Sequence, residues 1–371
     1  MWMMIFLLLP LAGLAYVGWH VWMLVPLSAA WRWTLIGVGV LSFAMIFLNF
    51  TKTIDHLPLS LARWVYDIGN SSVFVLLYLV MIFLVLDLGR MVHLVPKAWI
   101  YQNFYTTVII TLGLFIVFLY GNVHYHHKER VSMELTTEKP LAKPVKLVMM
   151  SDLHLGYHNP RHELARWIDL VNAEEPDMVL IAGDIIDISV RPLTEEDMAA
   201  EFRRLKAPVY ACLGNHEYYT GEPRAQQFYR DAGIRLLRDT FAIVDDLCII
   251  GRDDRTNPHR KSLSKLTSEY KSQISNLKPQ TKTYTILLDH QPYHLEQAER
   301  AGIDLQLSGH THEGQVWPIS WITNAMYECA FGRHQRGNTQ YYISSGIGIW
   351  GGKYRIGTRS EYVVIEVKNE R

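Results

Sequence analysis

Hydrophobic and polar residues are distributed very unevenly along the chain. Before about residue 122 the apolar residues form long, nearly uncharged stretches, and after it they form short runs separated by polar loops. A helix needs about 20 mostly apolar residues to cross the hydrocarbon core of a bilayer. Four stretches reach or approach this length and predict a four-helix transmembrane region, with helices over residues 3–27, 34–50, 73–95 and 104–121.

Charge follows the same division of the chain. The 371 residues include 36 basic and 36 acidic side chains, so the formal net charge is zero, and 49% of the residues are hydrophobic. Neutrality argues against a nucleic-acid partner, and the apolar content excludes a disordered chain. The charged residues before residue 122 are few, namely Arg32, Lys52, Asp55, Arg63, Asp67, Asp87, Arg90 and Lys97. We therefore expect an integral membrane region joined to a soluble one.

Basic residues in the loops predict the orientation in the membrane. If the N-terminus is inside, five basic residues lie in or after inside loops and three lie in outside loops. Cytoplasmic loops carry an excess of Lys and Arg, so this count favours a cytoplasmic soluble domain. The composition predicts a polar linker over residues 122–144 and a soluble domain over residues 145–371.

Short apolar runs alternate with helical patterns from residue 145 onward. The predicted strands cover residues 145–150, 178–182, 209–213, 284–288 and 304–307. Helical spacing of apolar residues predicts helices over residues 161–173, 194–205 and 293–301. Strands that alternate with helices indicate βαβ units, and hence an α/β fold.

Residue types that bind metals follow each of these predicted strands. They are Asp152, His154, Asp184, Asn215, His216, His290, His310 and His312. Ligands in such sheets collect beyond the carboxyl ends of the strands, so these side chains should converge at one edge. Carboxylate, amide and imidazole donors suit Mn²⁺, Fe, Zn²⁺, Co²⁺ or Mg²⁺. The set is large enough for two adjacent ions if one carboxylate bridges them.

The order and spacing of these blocks resemble the calcineurin-like metallophosphoesterase family. The matching blocks are Asp152-x-His154, Gly183-Asp184, Gly214-Asn215-His216-Glu217, His290 and Gly309-His310-Thr311-His312. The C-terminal runs 344–348 and 355–357 resemble the bacterial membrane-linked branch, with its YaeI- and YkuE-like phosphodiesterases and transmembrane proteins with a metallophosphoesterase domain. The resemblance implies a four-layer αββα sandwich after the transmembrane region, and a location in the bacterial inner (plasma) membrane.

The resemblance also implies a role for each matched residue. Two divalent ions (Mn, Fe, Zn or Mg) are expected, the first held by Asp152, His154 and His312 and the second by Asn215, His290 and His310. Asp184 would bridge the two ions, and His216, with Asn215, would act in catalysis, while Glu217 would orient the loop.

Two further residues are candidate contacts to substrate. Glu313 stands where this branch usually has Gly, and it is either a rim carboxylate or an exposed loop side chain. Arg355 presents a planar fork suited to phosphate. The cation-rich residues 251–282 either attract phosphate groups or anionic lipid, or form a solvated helical cap.

The resemblance and the membrane region together imply a function. The expected activity is hydrolysis of a phosphodiester, pyrophosphate or phosphomonoester by a metal-bridging hydroxide. A membrane anchor favours a lipid-linked substrate, such as a UDP-2,3-diacylglucosamine-type pyrophosphate or a phospholipid. A nucleotide or phosphoprotein phosphatase remains an alternative, as does a metal-binding membrane sensor or scaffold. The intact ligand set favours the enzyme.

Overall fold

The computed structural model describes residues 2–277 and 283–370, which form two compact units. The first unit contains residues 2–123 together with Gly351–Lys353. The second unit contains the described residues of 124–350 and 354–370. The division near residue 123 agrees with the change in composition there.

The first unit is built from apolar helices. They are α1 (Trp2–Leu24), α2 (Ala29–Ala44), α3 (Ile46–Phe50), α4 (Leu59–Met91) and α5 (Phe104–His126). Among the described residues, three helical segments are long and apolar enough to cross a membrane, namely Ala29–Phe50, Leu59–Met91 and Phe104–His126. The first predicted span falls on α1, which is apolar over Leu8–Leu24. Large apolar side chains such as Phe115 and Ile116 are exposed, as expected for a surface that faces lipid.

The helix ends differ from the predicted spans because the spans were drawn from apolar residues alone. Helix α4 begins at Leu59 rather than at residue 73, since its first turns carry polar residues such as Asp67 that do not interrupt a helix. Helix α5 continues to His126, beyond the predicted end at residue 121.

The second unit contains two six-stranded sheets. The first sheet has the order β1-β12-β2-β3-β4-β5 and the second has the order β10-β11-β9-β8-β7-β6. In chain order the strands are β1 (Lys128–Thr137), β2 (Val145–Met150), β3 (Met178–Ala182), β4 (Val209–Cys212), β5 (Arg235–Leu236), β6 (Thr240–Val244), β7 (Leu247–Gly251), β8 (Tyr284–Leu288), β9 (Leu305–Ser308), β10 (Gly332–Arg336), β11 (Thr339–Ile343) and β12 (Ser360–Asn369). Parallel pairing links β2, β3 and β4, and also β7, β8 and β9.

Helices connect and cover these sheets. They are α6 (Arg161–Ala173), α7 (Arg191–Glu195), α8 (Met198–Phe202), α9 (Asn215–Thr220), α10 (Glu222–Asp231), α11 (Leu263–Leu277), α12 (Glu296–Ala301) and α13 (Ile319–Met326). Helix α6 coincides with the helix predicted over residues 161–173. Its buried residues Leu164, Trp167 and Ile168 recur at helical spacing on one face.

Alternation along the strands produces four layers. In β2, Leu147 and Met149 join a core cluster that includes Ile286 and Leu305 of the other sheet, so the two sheets pack face to face. The alternate residue Val148 joins a separate cluster with helix α6. On the far side, helices α11 and α12 pack on the second sheet. Because successive side chains of a strand point to opposite faces, the arrangement is α, β, β, α, which confirms the predicted sandwich.

Two sequence expectations are wrong in this unit. The segment expected to be a linker, residues 122–144, contains β1, which pairs in parallel with β12 at the end of the chain. The helix expected over residues 194–205 is divided into α7 and α8, because Asp197 has a left-handed backbone conformation with φ of 49°. The apolar residues whose spacing predicted one helix are therefore divided between two short helices.

Strand β1 should stabilise the second unit. Met133 is buried in the core between the sheets and is paired in register with Ile365. Met133→Ala should lower the free energy of unfolding by about 2–5 kcal/mol because it leaves a cavity. Urea unfolding of the full-length protein in detergent, followed by proteolysis of the unfolded state, measures the change. The neighbouring control Glu134→Ala removes only an exposed ion pair with Lys368 and should have little effect. Equal stability of wild type and Met133→Ala would contradict a structural role for β1.

Candidate metal centre

The two sheets bring all the predicted metal-binding residues to one edge. They follow the carboxyl ends of strands β2, β3, β4, β8 and β9, which are parallel within each sheet. The residues are Asp152, His154, Asp184, Asn215, His216, His290, His310 and His312, and none of them is exposed. The α/β topology therefore gathers residues that are widely separated in sequence.

The first cluster consists of Asp152, His154 and His312. The two imidazole Nε2 atoms lie 3.1 Å apart. Asp152 Oδ1 lies 3.8 Å from Nε2 of His154 and 3.6 Å from Nε2 of His312. Three donors aimed at one point, two nitrogens and one oxygen, suit a divalent transition metal.

The second cluster consists of Asp184, His290 and His310. Asp184 Oδ2 lies 3.1 Å from His290 Nε2. Asn215 belongs to the same edge, and its buried Oδ1 has no hydrogen-bond partner among the described residues. A buried amide oxygen without a partner is costly, so this atom fits a metal ligand better than a structural group.

Asp184 is shared between the two clusters. The same carboxylate oxygen, Oδ2, lies 3.7 Å from His154 Nε2 and 3.1 Å from His290 Nε2. One oxygen therefore reaches donors of both sets. The residues present fit two adjacent cations with Asp184 between them.

The protonation of the imidazoles also fits cation binding. Burial lowers the pKa of His310 to about 4 and that of His312 well below its usual value, so both rings are neutral. Burial would also lower the pKa of His154 and of His290. Neighbouring carboxylates outweigh the effect of burial. The pKa of His154 therefore rises to about 10, and the pKa of His290 rises well above its usual value. A cation that bound here would displace those two protons.

Backbone conformation marks the same residues. Asp152, His154, Asp184, His310 and His312 all have positive φ, between 43° and 74°. This region is sparsely populated by residues other than glycine and costs about 1–3 kcal/mol each where it is held. Five ligand candidates in one sparsely used region indicate that the loops are shaped for the site.

Neighbouring groups fix the orientation of the ligands. His290 Nδ1 lies 2.7 Å from the carbonyl oxygen of Ala182, which leaves Nε2 facing Asp184. Such contacts to the second ring nitrogen set the tautomer of metal-binding histidines. Gly309 allows the last loop to come close, because a Cβ there would lie 2.1 Å from Asp152 Oδ2. The backbone N–H of His310 then donates to that same carboxylate at 3.0 Å.

Glu217 holds two of the loops at this edge together. Its buried carboxylate accepts backbone hydrogen bonds from Gly214 at 2.7 Å, Ile186 at 3.0 Å and Asp184 at 3.2 Å. Two strand-end loops are thereby joined through one side chain.

Sequence analysis missed Asp187, which supports His216. Asp187 is fully buried, and its Oδ1 lies 3.2 Å from His216 Nδ1 and 3.3 Å from His154 Nδ1. Burial would raise the pKa of Asp187, but the neighbouring imidazoles of His154 and His216 outweigh it and hold that pKa well below its usual range. The available signal was a second carboxylate three residues after Asp184.

Arg355 requires a correction. A residue that contacts substrate must reach solvent, but Arg355 is fully buried. Its guanidinium donates to the carbonyl oxygens of His312 at 2.7 Å, Ser345 at 2.5 Å and Gly348 at 3.1 Å. Arg355 therefore ties the C-terminal loop to the loop of His312 rather than contacting substrate.

Glu313 and the cation-rich stretch also differ from the simplest expectation. Glu313 is half-buried, and burial raises its pKa to about 7, so it is not a freely exposed loop carboxylate.

In the cation-rich stretch, residues 251–282, Arg252 and Arg260 each lie 3.1 Å from the carboxylate of Asp289. Helix α11 covers much of the remainder, while Lys278 and Lys282 lie outside the described residues. The structure therefore favours the helical cap over a segment that attracts phosphate groups or anionic lipid.

Comparisons with known proteins agree with this geometry. Residues 145–314 match the family model described as calcineurin-like phosphoesterase. The chain is 30% identical over 267 residues to an uncharacterized metallophosphoesterase of Campylobacter jejuni, which covers 71% of this chain and 69% of that protein. It is also 30% identical over 269 residues to an uncharacterized metallophosphoesterase of Aquifex aeolicus, covering 69% and 99%. A transmembrane protein with metallophosphoesterase domain from Danio rerio is 30% identical over 287 residues, covering 72% of this chain and 63% of that protein.

Loss of the shared carboxylate should disturb both cation sites. Wild-type protein dialysed against Mn²⁺ should retain about two ions per chain, and Asp184→Asn should retain one or none, because the amide lacks the charge that both sites use. Elemental analysis of the full-length protein measures the content. The control Asp169→Asn, on the exposed face of α6, should bind as the wild type does. Retention of two ions by Asp184→Asn would show that Asp184 is not shared.

Proposed function

Because the chain belongs to the calcineurin-like metallophosphoesterase family, we propose that it hydrolyses a phosphoester at the edge where the two clusters meet. The observation that carries this proposal is the shared carboxylate, since Asp184 Oδ2 lies within 3.7 Å of imidazoles from both clusters. Two adjacent divalent cations bound by these clusters would be suited to clamp a displacement at phosphorus.

The chain's own residues have distinct parts in this proposal. Asp152, His154 and His312 would hold one cation, and Asn215, His290 and His310 would hold the other, with Asp184 shared between the two sets. When bound, two divalent cations lower the pKa of water and neutralise charge that develops on the phosphoryl oxygens.

His216 supplies the proton for the leaving oxygen. Its Nδ1 faces Asp187, with distances of 3.2 Å to the carboxylate and 3.1 Å to the backbone carbonyl oxygen. Because Nδ1 is engaged by Asp187, Nε2 is the ring nitrogen that would donate the proton to the leaving oxygen. A buried carboxylate behind the ring fixes its tautomer and its orientation, as general acid catalysis requires.

The proposed substrate is a phosphoester or pyrophosphate linked to a lipid. Support comes from the three membrane-length helices in the same chain and from a relative that is named for its transmembrane region. A UDP-2,3-diacylglucosamine-type pyrophosphate and a phospholipid both fit this class. We also propose a bacterial inner membrane as the location. Counted over the four spans predicted from the sequence, the basic residues in the loops favour a site on the cytoplasmic side.

His216 and Asp187 should behave as one unit. With Mn²⁺ and bis-(p-nitrophenyl) phosphate, His216→Ala should lower kcat by about 10²–10⁴-fold. Asp187→Asn should also lower kcat, and the part of that loss that acts through His216 rather than through His154 should disappear in the His216→Ala background. The control His162→Ala, on the exposed face of α6, should keep wild-type activity. Equal metal content in all variants would confirm that the effect lies in proton transfer. Near-normal activity of His216→Ala would remove it from the mechanism.

A lipid-linked substrate predicts activity on membrane lipid. Full-length protein in nanodiscs, supplied with total bacterial lipid extract and Mn²⁺, should release a water-soluble phosphorus-containing product that mass spectrometry identifies. His216→Ala should release none. Turnover of soluble esters without turnover of any lipid would contradict the substrate class while leaving the hydrolase intact. Absence of both activities in a protein that binds Mn²⁺ would favour the sensor or scaffold.

A further inference from the structure

Three of the four large apolar residues of helix α13 are exposed, and the polar Asn324 is exposed beside them. Trp321, Ile322 and Met326 are 66%, 59% and 63% exposed, whereas Ser320 is only 8% exposed. Trp317, just before the helix, is 40% exposed, and its ring packs edge-on against that of Trp321 at 5.4 Å. We call these four residues, Trp317, Trp321, Ile322 and Met326, the docking face. An amphipathic helix on a water-exposed surface has the opposite orientation.

Helix α11 shows that ordinary orientation on the same unit. Its apolar residues Leu263, Leu266 and Tyr270 are buried in the outer core, and Lys271 is exposed. The reversed pattern of α13 is therefore a local feature rather than a property of the unit's surface helices.

The docking face is attached rigidly to the metal centre. Gly314 has a φ of 73°, and a Cβ there would lie 2.5 Å from the backbone nitrogen of Ser320, so the turn that carries His312 packs directly on the first turn of α13. At the other end, the ring of Tyr327 faces that of His310 at 6.4 Å and its hydroxyl lies 2.8 Å from that of Tyr293. Both ends of α13 thus adjoin a proposed metal ligand.

We propose that α13 docks on the lipid bilayer, with the docking face inserted at the boundary between headgroups and acyl chains. Trp is enriched at that boundary, and short amphipathic helices bind there through their apolar face. Residues 316–327 carry no formal charge, so no charged side chain in the segment opposes insertion. The chain also carries membrane-length helices, which keep the second unit close to a bilayer and raise its effective concentration at that surface.

Docking would bring the metal centre to the level of lipid headgroups. This extends the proposed function, because a phosphoester in a headgroup would reach the site without leaving the membrane. The docking itself requires no catalysis, so it can be tested separately from hydrolysis.

Accessibility of a spin label tests the proposal on the full-length protein in nanodiscs. Ile322→Cys and Met326→Cys are each labelled in a Cys329→Ser background, since Cys212 and Cys248 are buried. Labels at both positions should collide more with oxygen, which concentrates in the bilayer, than with a water-soluble nickel chelate. The control Lys271→Cys, on α11, should show the reverse preference.

Two other outcomes overturn the proposal. Labels at positions 322 and 326 that prefer the nickel chelate, as the control does, would show that α13 lies in water. Labels shielded from both reagents would show that another protein, such as a second copy of this chain, covers the docking face. Hydrolysis of bis-(p-nitrophenyl) phosphate by the same samples reports separately on the proposed function.

Discussion

Charge neutralisation in a buried site is the constraint on which the second unit depends. Asp152, Asp184 and Asp187 are at most 1% exposed and lie within one group of imidazoles. Burial would raise the pKa of Asp184, but the nearby rings of His290 and His216 outweigh it and hold that pKa well below its usual range. Ionised carboxylates in a protein interior need compensating charge. Members of this family use two divalent metals, and the site is built to be completed by such cations.

The sandwich explains how such a site is assembled from short loops. Two sheets packed through residues such as Met149 and Ile286 place the carboxyl ends of β2, β3, β8 and β9 side by side. The loops that follow are short, and many of their residues have left-handed backbone conformations. The rigid sheets therefore maintain a backbone geometry that an isolated loop would not adopt.

Sequence patterns predicted the parts of the structure that are local. Helix α6 and strands β2, β3 and β8 begin and end where periodicity placed them, because each buries one regular face or is buried throughout. The candidate metal-binding residues were recognised because each follows a predicted strand. Strand β1 was missed because its partner β12 lies at the other end of the chain and its outer face is polar.

Buried polar contacts were harder to foresee. Arg355 looked like a phosphate-binding residue because an Arg in a loop is usually exposed. Only the folded chain shows its donors directed to carbonyl oxygens around His312 and Ser345. Asp187 was missed for the same reason, since its role is defined by His216, which lies in the first turn of helix α9.

The central claim is that one carboxylate joins two cations at this edge. Low-temperature electron paramagnetic resonance of the full-length protein loaded with Mn²⁺ tests it most directly. A bridging Asp184 predicts the multiline spectrum of an exchange-coupled pair of Mn²⁺ ions, which Asp184→Asn should abolish. The six-line spectrum of isolated Mn²⁺ in the wild-type protein at saturating metal would contradict the account.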